Sequence, residues 1–259
     1  MGLDKDFLDI YRKQSRWRLI DEPIADSPQA ALKRDSELLK EVACGKRGAT
    51  ARLWEVPQCL VVTRKETRFP TFNQACEALQ KQGWPVIVRD SGGTSVPLHP
   101  GIINFSIIFP KTGDDDFDLD DIYMALCEPI KRALLQLGLS ADYGETPGSY
   151  CDGRYNLNVN GLKITGTAQR IMVSPANTKA IKQAVLAQAM LMVEADAIAG
   201  THQVNKFYTL AGNARQFDPL VATSIQDLLA KAQTTRSLVS LTTTMRALIS
   251  EEFNLLLCN

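Results

Sequence analysis

The chain has 259 residues, 45% of them hydrophobic, enough to bury the core of one large or two modest domains. Lysine plus arginine balances aspartate plus glutamate at 29 each, so no overall basic field recruits nucleic acid. Six cysteines, at 44, 59, 76, 127, 151 and 258, show no C-x-x-C spacing, which reads as free thiols in a reducing compartment rather than a disulfide framework or a zinc site. The N-terminal MGLDKDFLDIYRKQ alternates charge and holds no apolar stretch long enough for a signal peptide or membrane span. The expectation is a cytoplasmic protein without a membrane partner. Ser27-Pro28, a cap followed by proline at the first helical position, starts a helix that runs to a glycine stop. ARLWEV and CLVVTRKE have strand composition around Pro57, TFNQACEALQKQG is an amphipathic helix, and PVIVRD and INFSIIF are strands on either side of a Gly-Gly loop. The acidic run from 114 to 121 lacks calcium-loop spacing and reads as a solvated turn that starts the helix LDDIYMALCEPIKRALLQLG. AVLAQAMLMVEAD has helix-forming residues in a strand-like alternation, so residues alone leave both states open. THQVNKFYTLAG, SIQDLLAKAQ and SLVSLTTTMRALISEEFNLLL read as helices. No repeat or linker divides the chain, so the expectation is a single domain over 1–259, with an N-terminal extension at 1–26 and C-terminal helices at 230–259.

The segment GSYCDGRYNLNVNGLKITGTAQR carries the strongest local signal. Asn160-Gly161 is the pair that best tolerates positive φ at both centres of a type I′ turn, and it lies between two strand-forming runs. A two-residue loop then pairs Val159 with Leu162, Asn158 with Lys163, Leu157 with Ile164 and Asn156 with Thr165. Leu157, Val159, Leu162 and Ile164 form a core face. Asn156, Asn158, Lys163, Thr165 and Thr167 form a polar face, either solvated, as is usual for an antiparallel sheet, or the wall of a polar pocket. Cys151 precedes the hairpin. A thiolate is favoured by a nearby ammonium, and an ammonium also offers a hydrogen bond to a thioester carbonyl, so the pair Cys151 and Lys163 suits thioester chemistry.

Two blocks resemble a known superfamily, that of lipoate-protein ligases, octanoyltransferases and biotin-protein ligases, with the cysteine-dependent octanoyl amidotransferases the nearest branch. RDSGGTSVPLHPGIINFSIIF is similar to the family's Arg-x-Ser-Gly-Gly loop and following strand, and GLKITGTAQR is similar to its Gly-x-Lys-x-x-Gly-x-Ala block. The resemblance implies an α/β (α+β) fold of mixed and antiparallel sheets flanked by helices, the class II biotin/lipoate ligase-like catalytic domain. It also makes AVLAQAMLMVEAD a strand. The accessory C-terminal domain of many lipoate ligases is expected to be absent or reduced to helices.

By the same resemblance Cys151 is a nucleophile that takes an acyl group from a carrier-protein thioester, and Lys163 positions the thiolate and stabilises the oxyanion. Arg89 is expected at the pocket mouth, Gly92 and Gly93 along the acyl pocket, and Ser91, His99, Asn104, Asn158, Thr165 and Gly166 as substrate contacts. Ile103, Phe105 and Ile107 either line an acyl tunnel or belong to the core. Asp90 departs from the ATP-using members, which carry a second basic residue there, and a carboxylate repels phosphate. The leading expectation is therefore an acyltransferase of protein lipoylation with no required cofactor and no metal. Its donor is a glycine-cleavage H protein or an acyl carrier protein bearing an octanoyl or lipoyl group, and its acceptors are lipoyl domains of 2-oxoacid dehydrogenases. The alternatives are an ATP- and magnesium-dependent lipoate-protein ligase and a non-catalytic binder of acylated carrier domains.

Overall fold

The computed structural model describes residues 6–113, 115–176, 180–232 and 239–258. In chain order it begins with α1 (Asp9–Arg12), β1 (Trp17–Asp21), α2 (Pro28–Ala43), β2 (Ala49–Trp54), β3 (Cys59–Thr63), α3 (Phe72–Gln80), β4 (Val86–Arg89) and β5 (Val96–Leu98). It continues with β6 (Ile102–Thr112), α4 (Leu119–Gln136), β7 (Asp142–Tyr143), β8 (Leu157–Val159), β9 (Leu162–Val173) and β10 (Ile181–Met192). The helices α5 (Ala197–Leu210), α6 (Ile225–Lys231) and α7 (Leu241–Cys258) follow.

The expected elements are present, with their ends moved by a few residues, and the segment with two readings is the long strand β10. Helix starts follow their caps. Ser27 Oγ accepts the Ala30 N–H at α2, and Asp118 and Asp121 form a reciprocal capping box at α4, which confirms the acidic run as a helix start; Asp114 lies outside the described residues. Within the stretch read as an extension, residues 1–5 lie outside the described residues and part of the rest packs into the fold. Ile10, Tyr11 and Trp17 are buried in the main core, and β1 pairs in parallel with β2. Strands β1, β5 and β7 are too short to show periodicity.

Two sheets result, one of seven strands in the order β1-β2-β6-β10-β9-β8-β7 and one of three in the order β4-β3-β5. Period-2 alternation gives the large sheet two different faces. One carries Leu53, Ile103, Phe105, Ile107, Val185 and Leu191 against α4 and α7, so Ile103, Phe105 and Ile107 are ordinary core. The other carries Trp54, Asn104, Ser106, Gln188 and Met190 towards α2 and the small sheet, and a cleft opens between these layers.

The hairpin turn is as expected, with φ of 52° at Asn160 and 77° at Gly161, and Val159 pairs with Leu162 and Asn158 with Lys163. The register then departs from expectation. A bulge brings Leu157 opposite Thr165 instead of Ile164, because an extra residue on one strand shifts every pair beyond it. Asn156 falls outside β8, held in a turn by Asp152. The residues expected on a polar face are buried, not solvated, Lys163 and Thr165 fully and Asn156 and Asn158 nearly so, and the bulge moves Thr165 to the face of Leu157, away from that of Lys163.

A buried ionic network ties α2 to the second face. Arg52 of β2 donates to Asp35 at 2.7 Å and to Glu22 at 2.6 and 2.8 Å, and Asp35 also accepts Ser106 Oγ at 2.6 Å and Gln188 Nε2 at 2.7 Å. Ser106 Oγ in turn accepts Trp54 Nε1 at 3.0 Å. Arg52 and Asp35 are each 1% exposed, so neither charge has water to fall back on. Asp35→Ala should lower the unfolding free energy by about 2 kcal/mol, because Ser106 and Gln188 lose a buried acceptor while Glu22 still holds the Arg52 charge, read as a lower urea midpoint at unchanged slope.

Candidate active site

Arg89 ends β4, and Ser91-Gly92-Gly93 carries the chain towards β5. Gly93 has φ 101°, and a β-carbon there would stand 2.6 Å from Cys151 Sγ and 2.9 Å from Arg89 Nη2. The missing side chain lets the sulfur and the guanidinium lie directly against the loop. Cys151 itself has φ 46°, uncommon for a residue with a side chain, and it is 5% exposed. Its N–H donates to Thr94 Oγ1 at 2.7 Å. Arg89 Nη2 reaches both the Thr94 carbonyl at 2.9 Å and Cys151 Sγ at 3.5 Å.

Lys163 approaches the same loop from the hairpin. Its Nζ donates to the carbonyls of Tyr150 at 2.5 Å and Cys151 at 2.8 Å, with Ser149 Oγ at 3.5 Å. The ammonium therefore clamps the backbone that carries the cysteine, while the cation hydrogen-bonded to the sulfur is Arg89. Arg89 lies half-buried where the cleft meets the adjoining groove, and Lys163 acts on the cysteine through its backbone and its charge rather than by contact with the sulfur. The reason is reach: the register places Lys163 opposite Asn158, beneath the loop, and the loop's own carbonyls are its nearest acceptors.

The electrostatics follow from burial. Desolvation pushes the Cys151 thiol up, but the Arg89 charge and then that of Lys163, helped by hydrogen bonds from Thr94 and Arg89, bring it below the ordinary thiol value. Burial alone drives Cys59 to about 12, and burial outweighs the Lys131 charge near Cys127 to bring that thiol to about 12 as well. Burial also lowers the Lys163 ammonium to about 8, against the opposing charges of Cys151 and Asp152.

Beside the sulfur lies a cleft of about 500 Å³, a volume that includes the solvent at its open mouth. Its walls are mostly apolar, with Leu32, Trp54, Val96, Leu98, Tyr150 and Met190 among them, and its polar groups are Arg89, Asn104, Thr167, Gln188 and Cys151. Gly166 is on the lining, as expected. Ser91 lines an adjoining groove with Asp90 and Arg170, and Gly92 is exposed with open space around it. His99 lies in the turn before β6 against the Pro100 carbonyl, away from the cleft lining. Asn158 is a structural residue that bonds Thr146 and the Gly144 carbonyl. Thr165 is buried behind the wall, its Oγ1 without a hydrogen-bond partner. Asp90 bridges Arg64 at 2.6 Å and Arg170 at 3.1 Å, so its carboxylate occupies two cations at the groove. Thr94, Trp54 and Gln188 were missed by sequence reasoning; only the position of Thr94, directly after the Gly-Gly pair, offered a hint. Among the described residues no group of three His, Cys, Asp or Glu side chains comes together to hold a metal, and no helix is long and apolar enough to cross a membrane.

Residues 27–248 match the model of the lipoyl protein ligase A/B catalytic domain. The chain belongs to that family. It is 32% identical over 220 residues to the octanoyl-GcvH:protein N-octanoyltransferase of Kyrpidia tusciae, covering 83% of this chain and 74% of the relative. It is 28% identical over 228 residues to the lipoyl-GcvH:protein N-lipoyltransferase of Listeria monocytogenes, covering 84% and 78%. The fold is shared with the lipoic acid-bound Ta0514 protein of T. acidophilum (TM-score 0.61, 18% identity, 95% of this chain and 86% of that one) and with a lipoate-protein ligase A bound with ATP (TM-score 0.53, 19% identity, 93% and 94%). The family member described here is an enzyme, and its class of activity is acyl transfer.

Because a compact ammonium cannot reproduce the planar fork of Arg89, neither Arg89→Lys nor Arg89→Met should preserve the thiol's reactivity. The pH midpoint of Cys151 alkylation by iodoacetamide should lie below the ordinary thiol range in the wild type and rise in both variants, most in Arg89→Met.

Proposed function

We propose that the protein moves an octanoyl or lipoyl group from a GcvH-type carrier to a lysine of a lipoyl domain, through a thioester on Cys151 and without a nucleotide. The contact between Cys151 and Arg89 at the head of the apolar cleft carries the reading. A thiol held below its ordinary pKa in a dry site is a nucleophile at neutral pH. The names of the relatives place the donor group on GcvH, which favours that carrier over an acyl carrier protein.

In the first step the Cys151 thiolate attacks the acyl carbon, the bond to the carrier breaks, and the carrier's leaving atom departs with a proton taken up from solvent, which the second step returns. Arg89 Nε is buried without a hydrogen-bond partner, beside an Nη2 already on the sulfur, so it is the donor available to the developing oxyanion. Lys163 contributes charge and holds the carbonyls of Tyr150 and Cys151 in place. In the second step a neutral lysine amine attacks the thioester, its proton is released, and the thiolate leaves as the amide forms. The apolar cleft walls take the acyl chain and exclude water from the thioester. Asp90 supports a route without ATP in another way, because it engages Arg64 and Arg170, cations that a nucleotide phosphate would otherwise have to recruit.

Incubation with an octanoylated GcvH-type carrier and no ATP should add one octanoyl mass to the protein, removable by hydroxylamine and absent from Cys151→Ser. Acylation of a lipoyl domain only when ATP and free octanoate are supplied would make the chain a ligase. Carrier binding without any acyl transfer would make it a non-catalytic binder.

The pH profile of single-turnover acylation should be bell-shaped. Its rising limb follows thiolate formation at a pH below the ordinary thiol range. Its falling limb lies near pH 8, where the Lys163 ammonium loses its proton and with it the charge that favours the thiolate.

A further inference from the structure

Glu66 is a carboxylate only 3% exposed, in a short turn after β3, and no reacting atom touches it. Four donors hold it. One oxygen accepts the Thr63 N–H at 2.6 Å and Thr63 Oγ1 at 3.0 Å; the other accepts the Ser95 N–H at 2.8 Å and the Tyr208 hydroxyl. Among the described residues no lysine or arginine pairs with it, so its burial is offset by directed hydrogen bonds alone. Those bonds join three separate elements: the end of β3, the loop before β5, and α5.

Ser95 is the residue after Thr94, and Thr94 meets the nucleophile twice, through Oγ1 on the Cys151 N–H and through its carbonyl on Arg89. We propose that Glu66 is a positioning residue for the nucleophile: by fixing the Ser95 N–H it fixes Thr94, and through Thr94 it sets both the Cys151 backbone and the Arg89 guanidinium beside the sulfur. Tyr208, itself buried, completes the anchor by fixing the carboxylate from the other side. The proposal rests on the thioester reading for the role of Cys151, but its geometry does not depend on which acyl group or carrier is used.

Glu66→Gln tests it, because an amide puts a donor where at least one N–H or hydroxyl needs an acceptor. The sign of the effect separates positioning from charge. Removing a nearby negative charge by itself lowers a thiol's pKa, whereas releasing Thr94 and Arg89 raises it. The readout is the pH profile of Cys151 alkylation by iodoacetamide, with folding checked by thermal melting. The expected result is a midpoint about one pH unit higher and, at pH values below both midpoints, a roughly tenfold slower reaction. Acylation should slow in parallel, with KM for the carrier unchanged. Tyr208→Phe keeps the charge and the Ser95 bond and should move the midpoint in the same direction by less; it decides the matter if Glu66→Gln does not fold. A folded variant whose midpoint is unchanged or lower overturns the proposal. The alkylation assay needs no acyl donor, so absence of an acyl adduct in the wild type would refute the transferase reading while leaving this test standing.

Discussion

A thiolate in a site closed to water is unstable unless charge is brought to it, and the arrangement of this half of the molecule follows from that constraint. Cys151 is 5% exposed. Burial alone would hold it protonated, as it holds Cys59 and Cys127. Two cations reverse the outcome, and they do so from different directions: Arg89 at the sulfur, Lys163 beneath the backbone. Neither comes free of cost. Lys163 is fully buried and pays by giving up about two and a half pH units of its own basicity, from 10.5 to about 8, and Arg89 leaves its Nε unpartnered. The site is therefore a balance of three groups, each strained in its protonation or bonding so that the thiol can ionise.

Holding such groups in place needs rigid supports, and the fold provides one on each side of the cleft. On the side of the large sheet, Asp35 gathers Arg52, Ser106 and Gln188, and Ser106 gathers Trp54, so two cleft-lining side chains are fixed by one carboxylate. On the side of the small sheet, Glu66 gathers Thr63, Ser95 and Tyr208 beneath the Gly-Gly loop. Both carboxylates are buried, and each ties strands to a helix. The cleft thus lies between two polar anchors set within apolar layers, where an unmet hydrogen bond is expensive and the geometry is correspondingly narrow.

What the sequence made legible was whatever local chemistry determines. Asn160-Gly161 specified its turn because few other pairs accept two positive φ angles, and Ser27-Pro28 and the acidic run marked helix starts through their caps. The bulge at Leu157 was not legible, since an extra residue has no signature until its partner strand is known. The strand at β10 was decided by family resemblance, because its alanine and methionine suit a helix and only burial between β6 and β9 makes it a strand. In the site, Cys151, Lys163 and the Gly-Gly loop stood out as residue types, yet their roles were set by distance. Arg89 reaches the sulfur only because Gly93 has no β-carbon, and Thr94 matters only because Cys151, far away in sequence, turns its N–H towards it.

The backbone at Cys151 bears on the order of events. A residue at φ 46° turns its own N–H away from the path of a normal loop, and here Thr94 Oγ1 accepts it. An amide already engaged by a side chain is a poor candidate for the oxyanion donor, which leaves the unpartnered Arg89 Nε as the group to which negative charge on the acyl oxygen can turn. In the proposed transfer the same guanidinium would serve two states in succession, Nη2 at the thiolate before attack and Nε at the oxygen once the negative charge has moved there. As the sulfur loses charge the oxygen gains it, so the cation need not move between the two. With an acyl chain filling the cleft, a fixed cation spanning both positions would avoid the reorganisation that solvent would otherwise have to supply.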